Sequence, residues 1–168
     1  MGSHAIIRAV TDSQRILDSI RRLVRLLRLS DSEAQATFGL SAAQLFALHA
    51  IASMPRLSVN DLAERTQTDQ SSVSVVVGRL VDAGLVARER AEDDARRVVL
   101  EVTKEGRALL RKAPPVAPQR IVAIVDALPA TTRKRFADTF VHLIRELDPT
   151  DDRPPLLFSE SRRKRKQS

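Results

Sequence analysis

The 168 residues carry 28 Lys or Arg against 21 Asp or Glu, a formal charge of +7, with 43% hydrophobic residues, five Phe, no Trp, no Tyr and no Cys. That is one domain of ordinary size with enough apolar content for a core. The missing thiols exclude disulfides, thiol redox sensing and thiolate metal sites, and the scarcity of aromatic rings argues against stacking on single-stranded nucleic acid.

No apolar run approaches the roughly 18 residues needed to span a membrane, and residues 1–8 lack the apolar core of a signal peptide. A cytoplasmic protein without a membrane partner is expected. The positive charge suggests a polyanion, but it is spread unevenly. Residues 41–113 hold eleven Lys or Arg against ten Asp or Glu, whereas 1–29 hold six against two and 148–168 six against four. The isoelectric point is therefore weak evidence for DNA.

In chain order, residues 9–29 read as a helix capped by Thr11 or Asp12. Ile16, Leu17, Ile20, Leu23, Val24 and Leu27 form its apolar stripe, and Arg21, Arg22, Arg25 and Arg28 lie largely on the other side. Residues 30–39 are polar apart from Phe38 and read as a connector. Ser41 and Gln44 then form a capping box for a helix carrying Leu45, Leu48, His49 and Ala52, which Pro55 should end. His49 beside that apolar face suits an interior histidine or a ligand contact.

Ser58 is the expected cap of a helix over 58–64, and the polar stretch 65–69 suits a tight connection. A second helix over 70–83 places Val73, Val76, Val77 and Leu80 on one face, with Ser71, Ser74, Val75, Gly78 and Asp82 on the other. Gly84 follows, where a left-handed cap belongs. The outer face opens on Gln70, Ser71, Ser72 and Ser74, short hydrogen-bonding groups that let a helix approach a surface. Its N-terminal N–H groups suit a phosphate. The bland alternative is that the serines only cap the helix.

Residues 85–90 and 97–103 read as two strands. In the second, Val98, Leu100 and Val102 alternate with Val99, Glu101 and Thr103. A hairpin directly after a helix-turn-helix is a wing.

At this point the chain resembles the MarR family of winged helix-turn-helix transcription regulators. The matching residues are Leu62-Ala63, Ser72-Val73-Ser74, Arg79-Leu80, Gly84-Leu85-Val86, Arg88, Asp94-x-Arg96, Leu100-x-Val102-Thr103 and Glu105-Gly106. The resemblance covers residues 40–110 well and the flanks by helical pattern. It implies a mainly α (α+β) fold, with a two-stranded wing and terminal helices that interleave in a homodimer.

Thr103 should cap a further helix bearing Leu109 and Leu110. Relatives have one long helix here, but Pro114, Pro115 and Pro118 predict a sharp kink or two helices. A last stripe follows at Phe136, Phe140, Leu143, Ile144 and Leu147. The expected division is an N-terminal dimerisation helix and connector (1–40), a winged unit (41–113), C-terminal dimerisation helices (114–148) and a disordered basic tail (149–168). Within that tail, Leu156, Leu157 and Phe158 are apolar enough to tack it onto the body.

The resemblance implies a dimeric, ligand-responsive repressor of a pseudo-palindromic double-stranded operator. Gln70, Ser71, Ser72, Ser74 and Val75 would enter the major groove and Arg79 would meet a phosphate. Arg96 would enter the minor groove, positioned by Asp94. Many relatives carry a basic residue where Val75 stands and a larger polar one where Gly78 stands. Small aromatic or phenolic effectors bind relatives between the dimer helices and the winged unit, which nominates Phe38, Phe46 and His49. The alternative function is a winged-helix module for protein–protein assembly. An enzyme, a metal site and a cofactor find no supporting motif.

Overall fold

The computed structural model describes residues 11–54, 56–90, 98–150, 153, 154 and 156. The helices are α1 (Asp12–Phe38), α2 (Ala42–Ser53), α3 (Val59–Thr66), α4 (Gln70–Asp82), α5 (Lys104–Leu110), α6 (Ala117–Asp126) and α7 (Ala130–Leu147). Between α4 and α5 run the antiparallel strands β1 (Val86–Arg90) and β2 (Val98–Val102), paired from Val86↔Val102 to Arg90↔Val98. Among the described residues, no single helix is long and apolar enough to cross a membrane.

The hub is α2. Seven of its twelve residues are buried: Ala42, Ala43, Gln44, Leu45, Ala47, Leu48 and Ile51. A helix that is apolar on nearly every side is buried on nearly every side. It starts on the expected capping box, with the Ser41 hydroxyl accepting from the Gln44 N–H at 3.2 Å and the Gln44 side chain accepting from the Ser41 N–H at 2.8 Å. Leu62 of α3, Val73, Val77 and Leu80 of α4, Val86 of β1 and Leu100 of β2 close around it.

Residues 30–38 are not a connector, because α1 runs on through them to Gly39, which caps it at φ 68°. Their polar side chains reach other elements. The Ser30 hydroxyl accepts from the Ala117 N–H at 2.9 Å, and Asp31 accepts from the Ala42 N–H at 2.8 Å. Adjacent residues of α1 thus satisfy unpaired donors at the starts of both α6 and α2. Its N-terminal cap is Thr11, in a capping box with Gln14. Of the expected stripe, Ile16, Leu17 and Val24 are exposed in the single chain, and the only buried residue of α1 is Ala34.

The helix-turn-helix keeps its predicted faces. Val73, Val76, Val77 and Leu80 are buried, and Gly84 adopts φ 70°. The Leu85 N–H reaches back to the Leu80 carbonyl at 2.9 Å, which closes the helix and turns the chain into β1. α3 is longer than read, ending at Thr66, with Gln67 left-handed in the turn.

The alternation expected for β2 fails at its start. Val98 is 47% exposed, whereas Val99 is 2% exposed and is buried apart from the main core. On the other side the Leu100 N–H donates to the Leu57 carbonyl at 2.7 Å, so a third segment flanks the hairpin.

Past the wing the prolines act as expected. α5 ends at Leu110, and α6 begins beyond Pro114 and Pro115, with Pro118 in its first turn. α7 buries none of its eighteen residues, although Phe136, Phe140, Val141, Leu143, Ile144 and Leu147 lie along it.

Candidate nucleic-acid interface

The outer face of α4 carries Gln70, Ser71, Ser74 and Val75, all exposed, and Val75 is 40% exposed. No Glu or Lys stands among them, so a surface could come close to the helix backbone. Arg79 is exposed one turn further along the flank.

Ser72 differs from its neighbours. It lies roughly 100° round the helix from that face. Its hydroxyl donates to the Asp69 carbonyl at 2.9 Å and accepts from the Leu156 N–H at 3.0 Å. Of the serines singled out, Ser71 and Ser74 sit on the outer face and Ser72 is committed inside the chain.

The helix N-terminus is committed too. Asp69 is its cap, accepting from the Ser72 N–H at 2.8 Å, the Ser71 N–H at 3.2 Å and the Ser71 hydroxyl at 2.8 Å. Those bonds, the Ser71 hydroxyl foremost, hold the Asp69 carboxyl below its ordinary value. The Asp69 N–H donates to the Pro154 carbonyl at 2.9 Å. Donors that a phosphate would use are therefore already occupied, and contact through the helix end is a weaker prospect than contact through its outer face. Sequence reading missed this cap because Asp69 looked like one more polar turn residue. Its signal is an Asp directly before a helical run.

The Gln70 side chain donates to Asn60 of α3. The two border a shallow depression with Ala63, Glu64, Asp69 and Arg153. Arg153 has no local sequence signal at all, being brought there from a distance. On the wing, Arg88 and Arg90 of β1 are exposed. Asp94 and Arg96 lie outside the described residues, between Arg90 and Val98.

The three nominated effector residues lie on α1 and α2. Phe38 and Phe46 pack partly buried on the core. The buried Nε2 of His49 has no hydrogen-bond partner among the described residues, and burial pushes its imidazole below its ordinary value. The folded chain then binds fewer protons than the unfolded chain just below pH 6.5, the ordinary histidine value. Stability from this group is fully present above that pH and is lost as pH falls toward the folded value. Melting curves at pH 7.5, 6.5 and 5.5 should show a steeper fall for the wild type than for His49→Gln. Parallel falls would remove the imidazole from the account. Among the described residues no cluster of His, Asp or Glu is placed to hold a metal.

A family model described as the MarR family matches residues 38–97. The chain is 28% identical over 115 residues to the HTH-type transcriptional repressor Rv2887 of Mycobacterium tuberculosis, covering 68% of this chain and 83% of that one. Among solved structures it resembles Sco3205, a MarR family transcriptional regulator from Streptomyces coelicolor in complex with DNA. The TM-score is 0.60 at 26% identity, over 89% of this chain and 97% of that one. It also resembles BpsR of Bordetella bronchiseptica, whose DNA binding is described as regulated by 6-hydroxynicotinic acid. There the TM-score is 0.53 at 25% identity, over 89% and 100% of the two chains.

Proposed function

This chain belongs to the MarR family of winged helix-turn-helix transcription regulators, which bind DNA, and on that premise we propose that it is a homodimeric repressor released from its operator by a small aromatic or phenolic molecule. The observation that carries the reading is the outer face of α4. Gln70, Ser71, Ser74 and Val75 are exposed, small or hydrogen-bonding, and none of the four is acidic, while the neighbouring Asp69 carboxylate is taken up in capping the helix and in bonding the Ser71 hydroxyl. Placed in a major groove, the Gln70 amide suits adenine and Val75 can meet a thymine methyl. Base discrimination then rests as much on the wing and on DNA shape as on direct hydrogen bonds. Arg79 contacts a phosphate, and Arg96 enters the minor groove with Asp94 positioning it. Ser72 is left out of this division of roles, because its hydroxyl is held within the chain.

Dimerisation through α1 and α7 is supported by their exposed apolar rows. A pseudo-palindromic operator follows from two-fold symmetry. For the effector, the support is the buried His49 Nε2, without a hydrogen-bond partner among the described residues, beside the core-packed Phe46 one turn away. A phenol or carboxylate brought there supplies the missing hydrogen bond, and the relative BpsR is described with an aromatic hydroxy acid.

Val75→Glu tests the DNA face. The side chain points to solvent, so melting temperature and oligomeric state should stay as they are. An added carboxylate facing phosphates costs several kcal/mol, and binding to the duplex upstream of the chain's own coding sequence should fall by about a hundredfold or more. Undiminished binding by a folded Val75→Glu protein would remove α4 from the groove.

A further inference from the structure

Three residues from the C-terminal segment dock on the helix-turn-helix at four points. The Arg153 guanidinium makes a two-pronged ion pair with Glu64 of α3, at 2.7 and 3.2 Å. The Pro154 carbonyl accepts from the Asp69 N–H at the entry of α4. The Leu156 N–H donates to the Ser72 hydroxyl, and the Leu156 side chain, 4% exposed, joins the core cluster. An exposed ion pair alone is worth little. One joined to two hydrogen bonds and a buried leucine fixes a strap in one place. The strap lies on the Ser72 flank of α4 and leaves Ser71, Ser74 and Val75 uncovered.

Six positions beyond Leu156 begins the unbroken basic run Arg162, Arg163, Lys164, Arg165 and Lys166. Six residues span at most about 20 Å, and a major groove occupied by a helix is about 12 Å wide between its phosphate walls. The anchor therefore holds the start of the run within reach of the DNA backbone beside α4. We propose that Arg153, Pro154 and Leu156 form an anchor that delivers the basic run to the DNA phosphates flanking the recognition helix, making the C-terminus a third contact element alongside α4 and the wing. The proposal rests on the DNA-binding reading. It adds charge where the winged unit, nearly neutral over residues 41–113, lacks it. Holding the run in place also keeps its effective concentration at the backbone high, so its charges act with the recognition helix rather than as a separate weak binder.

The test compares five full-length proteins on two duplexes, one from upstream of the chain's own coding sequence and one unrelated, across a salt series. They are the wild type, a variant with all five basic residues changed to Gln, an unlatched variant Arg153→Gln/Leu156→Ser, the combination of those two, and Arg153→Gln alone. The five-Gln protein should lose about tenfold or more in affinity on both duplexes, with the slope of log K against log salt shallower by about two to four. The unlatched protein should lose about threefold or more despite keeping every basic residue of the run. The combination should be no weaker than the five-Gln protein, because without the basic run the anchor has nothing to deliver. Arg153→Gln alone, which leaves Leu156 in the core, should show the unlatching loss in milder form and guards against misfolding of the double variant. An unchanged salt slope in the five-Gln protein overturns the proposal. So does wild-type affinity in both unlatched proteins, or losses that add in the combination. If the wild type binds neither duplex, the DNA-binding reading itself has failed and this inference falls with it.

Discussion

Aspartate in place of Phe140 and Ile144 on α7 is expected to convert the protein to monomers and to abolish specific DNA binding. α7 buries nothing within its own chain, and Phe136 and Phe140 stack on each other, centroids 5.9 Å apart, with Phe136 still 53% exposed. An eighteen-residue helix with six large apolar residues in water has too little to hold it against the rest of one chain. Burial of a side chain of this size is worth about 1.5–3 kcal/mol. A two-fold interface loses each substituted residue twice, so four side chains amount to roughly 6–12 kcal/mol by the same measure. That is enough to move the dissociation constant of a nanomolar dimer to about 20 μM or weaker, above the micromolar range of the measurement. Light scattering at micromolar protein reads the result directly. A wild-type chain that is already monomeric under those conditions would leave α7 without a role in assembly.

Gly106→Val should be the most damaging single substitution inside the winged unit. A Cβ on Gly106 would stand 2.3 Å from the Leu85 carbonyl oxygen and 2.8 Å from Cγ1 of Val102. The first of those atoms is backbone, held in place as Leu85 closes α4 and accepts from the Thr103 N–H at 3.1 Å. No rotamer relieves the clash, so α5 must move off the hairpin. Its N-terminal anchor moves with it, since the Thr103 hydroxyl donates to the Gly84 carbonyl and accepts from the Gly106 N–H. Overpacking of this kind costs about 1–3 kcal/mol and occasionally more. Val should stand at or above the top of that range and Ala nearer its middle. Denaturant midpoints check the order. A Val variant as stable as the wild type would mean that α5 is not held against Leu85 in solution.

The winged unit was legible because each local signal agreed with its neighbours. Ser41 with Gln44 and Ser58 with Asp61 start helices, Gly84 ends one, and the valines of α4 mark its buried face. The prolines after α5 announced the break before α6 in the same way. What escaped depends on distant partners. The residues following Leu29 look like a loop because Ser30 and Asp31 are polar, yet their side chains are used by Ala117 and Ala42. A polar helix segment of that kind has no periodic signature, because its donors come from other elements. The start of β2 misled as well: Val99 is buried although it is not part of the main core cluster, so burial falls on both faces of the strand, which alternation does not encode. At the interface, composition pointed to the serines as a group, and only the fold separates Ser71 and Ser74 on the outer face from Ser72 on the flank. Leu156 was legible as an apolar residue able to tack the tail onto the body, and it does join the core. Arg153 gave no warning, since a Pro-rich run near a terminus offers no period from which a docking site can be read.

Joining of α2 and α6 to one stretch of α1 has a mechanical consequence. With 27 residues α1 is about 40 Å long. Its bare N-terminal length belongs to the proposed dimer, while Ser30 and Asp31 grip the two helices that carry the rest of the chain. It is a lever with its load clamped near one end. A tilt of about 5° displaces the far end of a rod that long by roughly 3.5 Å, close to the rise of about 3.4 Å along the duplex axis from one phosphate of a strand to the next. In the proposed dimer, two winged units matched to two half-sites would lose their phasing by about one step when the angle between their levers changes by that small amount. The proposed effector, wedged at the elbow where α1 meets α2, would then release the operator without touching α4.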